Sequence, residues 1–130
     1  LNKAKEMMPK AISWSEIRDI SKNNLSSFQS HSVSHTAFSA LSKEDIKSEM
    51  IESKASIEQC TGKKVNSFCY PYGAEISIGK KAPEIAARHF SSAVTLQRGR
   101  LKNNNLFYLP RIGFYKEDAP SFVRMKTILT

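Results

Sequence analysis

Residues 42–73, SKEDIKSEMIESKASIEQCTGKKVNSFCYPYG, decide the fold because they predict a helix that leads directly into a strand. Ser42 followed by Asp45 is a capping signal, and Gly62 is a typical left-handed helix end. Between them one apolar stripe follows helical spacing: Ile46, Met50, Ile57 and Cys60. The apolar run over residues 65–70 then predicts a buried strand.

The same alternation continues on both sides of that stretch. Upstream, Ser13 and Glu16 form a capping box that begins a helix over residues 14–22, and a strand is predicted over residues 25–30. Downstream the pattern predicts, in order, a helix over 82–88, a strand over 92–96, a basic loop over 97–105, alternating large side chains over 106–114, and a helix over 120–128 with Phe122 and Met125 inward. Strands that alternate with helices indicate an α/β fold with a parallel sheet.

Length and composition indicate one globular domain. The chain has 130 residues, of which 40% are hydrophobic and 25% charged, which argues against disorder. No apolar run approaches the roughly 20 residues that span a bilayer, so no transmembrane segment is expected. Cys60 and Cys69 match neither a zinc pair nor a redox motif, and we expect both to be small buried side chains. Since the chain begins at Leu1 without Met or a signal peptide, we expect a processing boundary there.

Charge is distributed unevenly along the chain. The formal net charge is +8, and no acidic residue lies between Glu84 and Glu117. That interval contains six basic residues: Arg88, Arg98, Arg100, Lys102, Arg111 and Lys116. It is either a solvated basic face or a surface that meets an anionic polymer, so a basic polymer-binding protein remains a third functional alternative.

Two local signals could carry chemistry. His31 and His35 are four positions apart, so a helical turn would place both imidazoles on one side, as two nitrogen ligands of one metal require. The alternative is a pair of ordinary hydrogen-bonded histidines. Residues 68–73 form an aromatic strand end that enters a Pro-Gly turn. Backbone N–H groups in such a turn are often available to a ligand; the alternative is a turn that only ends the strand. His89, at the end of a predicted helix, is interpreted as structural.

Taken in order, these segments resemble the polysaccharide deacetylase family, the NodB-homology group of carbohydrate esterase family 4. The resemblance rests on Ser30-His31-Ser32-Val33-Ser34-His35-Thr36, on Phe68-Cys69-Tyr70-Pro71-Tyr72-Gly73, on Ala93-Val94-Thr95 and on Leu109-Pro110-Arg111-Ile112. Glu49 and Ser53-Lys54 belong to the same series, and residues 14–20 are similar to the helix that precedes the histidine motif. The similarity extends from about residue 14 to residue 130.

The resemblance implies a partial distorted (β/α) barrel of the NodB-homology type and an activity. Members remove acetyl groups from N-acetylglucosamine-containing polysaccharides with a divalent metal, usually zinc, and act outside the cytoplasm; nucleic acid is not an expected partner. His31 and His35 would be metal ligands, with an aspartate as the third. The backbone N–H of Tyr72 would hold the oxyanion, and Tyr70, Pro71 and Tyr72 would contact the sugar. Of the three rings available to stack on a sugar, Tyr70, Tyr72 and Phe114, we expect at least two to pack in the core instead.

The sequence departs from the family at its first motif, the Thr-Phe-Asp-Asp run that supplies the catalytic base and the aspartate ligand. The only aspartates are Asp19, Asp45 and Asp118, and none is paired with another. Cys69 stands where many relatives carry Arg, and Arg111 stands where others carry a general-acid histidine.

We therefore expect residues 1–130 to be a single incomplete deacetylase domain, the carboxy-terminal part, with its motifs over about 14–130. Such a chain would be inactive by itself, and its metal site would be weak or lost. Its exposed sheet edge would favour self-association. The second functional alternative is a non-catalytic glycan-binding module.

Overall fold

The helices largely follow the predicted pattern. The computed structural model of the chain describes residues 11–99, 105–114 and 116–129, so most of the predicted basic loop, including Arg100 and Lys102, lies outside the described residues. Within these ranges the helices are α1 Trp14–Ser21, α2 Lys43–Thr61, α3 Glu75–Ile78, α4 Ala82–His89 and α5 Pro120–Leu129, with a 3-10 turn at Phe38–Ala40. The sequence did not predict α3 or the 3-10 turn.

Helix α2 begins and ends where its local signals predicted. The Ser42 hydroxyl accepts the N–H of Asp45 at 3.0 Å, which satisfies one of the free donors of the first turn. At the other end Gly62 has φ +67°, and its N–H donates to the Glu58 carbonyl at 2.9 Å. The helix buries Ile46, Met50 and Ser53 and so forms one wall of the core.

The sheet is parallel, and its members lie side by side in chain order. Strand β1 (Ser67–Cys69) pairs with β2 (Ser92–Val94), with Phe68 opposite Ala93. Single parallel bridges extend this pair on both sides, from Ser30 to Phe68 and from Val94 to Leu109. Because α2 lies between residue 30 and β1, and α3 and α4 lie between β1 and β2, the chain winds in one direction as βα units do. The predicted α/β alternation is confirmed.

The strand predicted over residues 25–30 is wrong except at Ser30. Leu25 is 97% exposed, and the carbonyl oxygen of the Gln29 side chain accepts the N–H groups of Asn66 and Ser67 at 3.0 and 2.9 Å. At the start of β1, the hydrogen-bond partner of these N–H groups is therefore the Gln29 side chain and not the backbone of a neighbouring strand. Strands β1 and β2 are also shorter than the predicted ranges 65–70 and 92–96.

Helix α5 exists, but its predicted inward face does not. Phe122 and Met125 are 43% and 44% exposed. The Lys126 ammonium lies 4.7 Å from the centre of the Phe122 ring, so a cation rather than an apolar layer covers that ring.

The core is centred on Phe68 of β1. Its ring stacks on Phe38 at 5.7 Å and contacts Tyr70 and Phe90 at 5.5 and 5.2 Å between ring centres. Phe68, Phe38 and Tyr70 are at most 2% exposed, so the strand is held by aromatic burial on the side of α2 and α4. None of the described helices is long and apolar enough to cross a membrane.

Candidate active site

The predicted site residues follow the carboxyl ends of the parallel sheet. His31 comes directly after Ser30, Tyr72 comes shortly after β1, and Arg111 comes after Leu109. In α/β folds whose strands are parallel, ligands bind at this edge because the loops there converge. Because the strands run in the same direction, segments that are about 40 residues apart in sequence come together at this edge.

His31 and His35 lie next to each other, but not on a helical turn. Their ring centres are 4.8 Å apart with an interplanar angle of 74°, and both residues are exposed. The segment between them is a turn in which Ser32 and His35 have φ of +68° and +58°, and the Ser32 hydroxyl accepts the His35 N–H at 3.0 Å. The helical geometry assumed from the spacing of four is therefore wrong, although the two rings meet.

Side chains of helix α2 hydrogen-bond to this turn and to the residue before it. One oxygen of the Glu49 carboxylate, Oε2, accepts the N–H groups of Val33 and Ser34 at 2.8 and 2.9 Å. Partial burial raises the pKa of Glu49, but the hydrogen bonds from Ser34 and Val33 outweigh it and hold the pKa below its ordinary value. The Ser53 hydroxyl lies 2.6 Å from the Ser30 hydroxyl.

Sequence reasoning assigned no role to Glu49 or Ser53. A signal was present for Ser53, because it is a polar residue three positions after Met50 on the buried stripe of the helix. A polar side chain in such a place needs a hydrogen-bond partner.

The carbonyl of Cys69 sets the tautomer of His31. His31 Nδ1 lies 2.7 Å from the Cys69 carbonyl oxygen. Because a carbonyl only accepts, Nδ1 must carry the proton, so in the neutral form of the ring it is Nε2 that has a lone pair for a ligand. Metal-bound histidines usually make this kind of second hydrogen bond.

The turn after β1 presents an exposed ring and a backbone donor. Tyr72 has φ +60°, and the Gly73 N–H donates to the Pro71 carbonyl at 2.7 Å, which closes a three-residue γ-turn around Tyr72. Within the described residues the Tyr72 N–H has no hydrogen-bond acceptor. The Tyr72 ring is 55% exposed and lies 4.8 Å from the His35 ring.

The structure places the other residues assigned to sugar contact differently. Tyr70 is 1% exposed, and its hydroxyl donates to the Phe107 carbonyl at 3.1 Å. Burial raises the pKa of the Tyr70 phenol, and the nearby Tyr108 raises it further. Pro71 is also buried, whereas Phe114 is 52% exposed. Of the three rings only that of Tyr70 packs in the core, so the expectation of at least two is wrong. Tyr70 and Pro71 therefore form the base of the turn, and the accessible ring beside the histidines is Tyr72.

The Cys69 thiol and the Arg111 guanidinium lie next to each other. Burial raises the pKa of the half-buried Cys69 thiol, and the adjacent Arg111 guanidinium acts in the opposite direction. Arg111 Nε donates to the Thr95 carbonyl at 2.6 Å. The sequence predicted buried cysteines, but Cys69 and Cys60 are half-buried and unpaired.

The aspartates have other partners. Asp19 pairs with Lys22 at 2.6 Å, Asp118 pairs with Lys126 at 2.6 Å, and the Asp45 carboxylate accepts the Ser42 hydroxyl at 2.7 Å. In the described part of the chain, no three His, Cys, Asp or Glu side chains form a group that would hold a metal ion. Among the residues that the structure describes, the two histidines therefore have no third side chain that completes a metal site.

His89 lies away from this pair, at the end of α4, and its environment suits a structural role. Its carbonyl accepts the Lys54 ammonium at 2.8 Å. Burial lowers the pKa of its ring, as do the neighbouring charges of Lys47, Lys54 and Arg88. Both effects favour the neutral ring.

Comparison with known proteins addresses the fold and the family. The deacetylase PplD of Streptococcus pyogenes, solved in complex with acetate, superposes with a TM-score of 0.79 and 22% identity over 94% of this chain and 53% of its own. A polysaccharide deacetylase from Bacillus cereus gives 0.78 and 22% over 89% of this chain and 36% of its own.

A mutant of a protein described as a carbohydrate esterase family 4 pseudoenzyme gives a TM-score of 0.54 and 22% identity over 62% of this chain and 28% of its own. This chain thus spans about half of the streptococcal structure and about a third of the Bacillus cereus structure. No curated protein sequence matches it significantly.

The superpositions confirm the fold of a NodB-type deacetylase, of which this chain represents part of the barrel. The sequence profile of the polysaccharide deacetylase family matches residues 2–89, which is more than half of the chain. The chain belongs to the polysaccharide deacetylase family.

Proposed function

We propose that His31 and His35 are two ligands of a divalent metal, zinc, in a polysaccharide N-deacetylase. The observation that carries the proposal is the pair of exposed imidazoles with ring centres 4.8 Å apart, one of them held as the Nδ1–H tautomer by the Cys69 carbonyl. Two such nitrogens match part of the donor set that zinc accepts, and catalytic zinc sites add a third protein ligand.

The chemistry divides between the metal and this chain. When bound, the metal polarises the acetamide carbonyl and lowers the pKa of a water molecule. The Tyr72 N–H donates to the acetyl oxygen as negative charge develops there, since the γ-turn leaves this donor without an acceptor among the described residues. The Tyr72 ring, which is more than half exposed, stacks on a sugar ring beside the histidines.

The substrate we propose is a polysaccharide that contains N-acetylglucosamine, and the location is outside the cytoplasm or in the cell envelope. The family acts on polysaccharides, and its members are typically extracellular or associated with the envelope. The streptococcal neighbour is a deacetylase that was solved with acetate, the product that such a reaction releases.

The third ligand and the general base would come from sequence outside these 130 residues. All three aspartate carboxylates have structural partners, so residues 1–130 form one incomplete domain that is inactive by itself. The sheet edges at Ser30 and Leu109 would then pair with another chain, and a monomer in sedimentation at high concentration would contradict that association.

The test is acetate release from N-acetylglucosamine oligomers, measured on residues 1–130 and on the chain extended into the coding sequence upstream of Leu1. We expect an Asp-Asp run upstream, activity in the extended chain only, and loss of that activity in His31→Ala and His35→Ala. An extended chain that keeps its activity without both histidines would contradict the proposal, as would an upstream sequence that lacks the aspartates.

A second candidate is a glycan-binding module without catalysis. It is supported by the missing third donor in the described residues and by the pseudoenzyme among the structural neighbours. Such a protein keeps its affinity for the oligomer when His31 and His35 are replaced by Ala. An affinity that falls steeply with added salt and ignores both histidines would instead support binding of an anionic polymer.

A further inference from the structure

Helix α2 holds the histidine turn at two points that are one helical turn apart. Ser53 contacts the Ser30 hydroxyl immediately before His31, and Glu49 accepts the two N–H groups immediately before His35. Positions 49 and 53 lie on the same helix face because side chains four residues apart are neighbours there. The two contacts therefore lie one helical turn apart on α2, and each holds one end of the histidine turn.

The turn needs such support because its backbone is unfavourable by itself. Ser32 and His35 both have positive φ, which side chains other than glycine rarely adopt and which persists only when the surroundings enforce it. The hydrogen bond from the His35 N–H to Ser32 acts only within the turn. Glu49 is 16 residues from Val33 in sequence, so it fixes the turn relative to the rest of the fold.

We propose that Glu49 is a positioning residue for the metal site, and that it acts by holding the Val33 and Ser34 amides so that the His31 and His35 rings stay together. The inference rests on the proposed metal role of the two histidines. The Glu49 carboxylate is charged, so its hydrogen bonds with the two N–H groups are stronger than those of a neutral acceptor. Ser53 fixes the other end of the turn through the Ser30 hydroxyl.

Two variants separate the effect of the length of the Glu49 side chain from the effect of its charge. Glu49→Gln keeps the length of the side chain and an acceptor oxygen but loses the charge, whereas Glu49→Asp keeps the charge but is one methylene too short. We expect zinc affinity, followed by imidazole NMR shifts, to fall about 10–100-fold in Glu49→Asp and less in Glu49→Gln. Glu52→Ala is the matched control, because it removes a carboxylate whose contact is the Ser48 hydroxyl within the same helix.

Amide hydrogen exchange gives a readout that needs no metal. We expect faster exchange at Val33 and Ser34 in Glu49→Asp than in the wild type, with Glu49→Gln between them and unchanged exchange in the core strand β1. Affinity and exchange that are unchanged in Glu49→Asp, or lower affinity in Glu49→Gln than in Glu49→Asp, would overturn the proposal. Absence of zinc binding by the chain extended upstream of Leu1 would overturn the proposed function, and the exchange rates would then decide the positioning role separately.

Discussion

Gly73→Ala should destabilise this protein far more than Gly62→Ala, although both glycines have nearly the same positive φ. Their φ angles are +62° and +67°. A Cβ at Gly73 would lie 2.7 Å from the Leu96 backbone nitrogen, whereas a Cβ at Gly62 would meet nothing within 4 Å. The pair therefore separates the cost of the conformation from the cost of the close approach.

The magnitude follows from three contributions. A left-handed conformation costs a residue with a Cβ roughly 1–2 kcal/mol, and this applies to both variants. At Gly73 the added carbon also meets backbone that cannot move away, for about 1–3 kcal/mol. It strains the 2.8 Å hydrogen bond from the Leu96 N–H to the Gly73 carbonyl as well, for about 0.5–1.5 kcal/mol. We expect about 4 kcal/mol for Gly73→Ala and about 1–2 kcal/mol for Gly62→Ala.

Thermal and urea unfolding measure the difference. For a chain of this size 1 kcal/mol corresponds to about 3–4 °C, so Tm should fall by about 14 °C in Gly73→Ala and about 5 °C in Gly62→Ala. Both variants lose the same backbone freedom in the unfolded chain, which cancels in the comparison. Equal losses of stability would refute the close approach of the loops after β1 and β2, and with it the geometry that presents the Tyr72 N–H.

Three further predictions concern polar side chains and their hydrogen bonds. Ser53→Ala leaves the buried Ser30 hydroxyl without its partner and should cost about 1–3 kcal/mol in urea unfolding, whereas the double variant with Ser30→Ala should cost no more than the single one; additive costs would contradict this. Burial raises the pKa of Tyr70, so its neutral form contributes stability that is complete below the ordinary phenol pKa and is lost as the pH rises above about 10 toward the folded value. Ultraviolet titration should therefore show late tyrosine ionisation that decreases in Tyr70→Phe, and an unchanged curve would contradict the burial. Long-range NMR correlations of His31 at neutral pH should show the proton on Nδ1, and a proton on Nε2 would contradict the hydrogen bond to Cys69.

Short-range signals predicted the helices well. The bounds of α2 follow from Ser42 and Gly62, because capping chemistry acts within four residues of each end. The strand over residues 25–30 fails for the opposite reason. The side chain of Gln29, and not its backbone, accepts the N–H groups of Asn66 and Ser67, and a contact 37 residues away in sequence cannot be predicted from local signals.

The candidate site was predicted as a set of residues but not as a geometry. The sequence identified His31, His35 and Tyr72, and the parallel order of the sheet explains why they converge. It did not predict the left-handed residues in the histidine turn or its support by Glu49, since both depend on the packing of α2 against that turn. It also could not separate the buried Tyr70 from the exposed Tyr72, which are two positions apart beside a proline.

The most direct measurement is calorimetric titration of this chain with zinc, in the wild type and in three single variants. If the two adjacent imidazoles form one site, the wild type binds one zinc ion weakly, and His31→Ala and His35→Ala each abolish the heat of binding. His89→Ala is the control, because this histidine lies at the end of α4, and it should bind as the wild type does. Binding that survives both site variants, or that disappears with His89, would contradict the account.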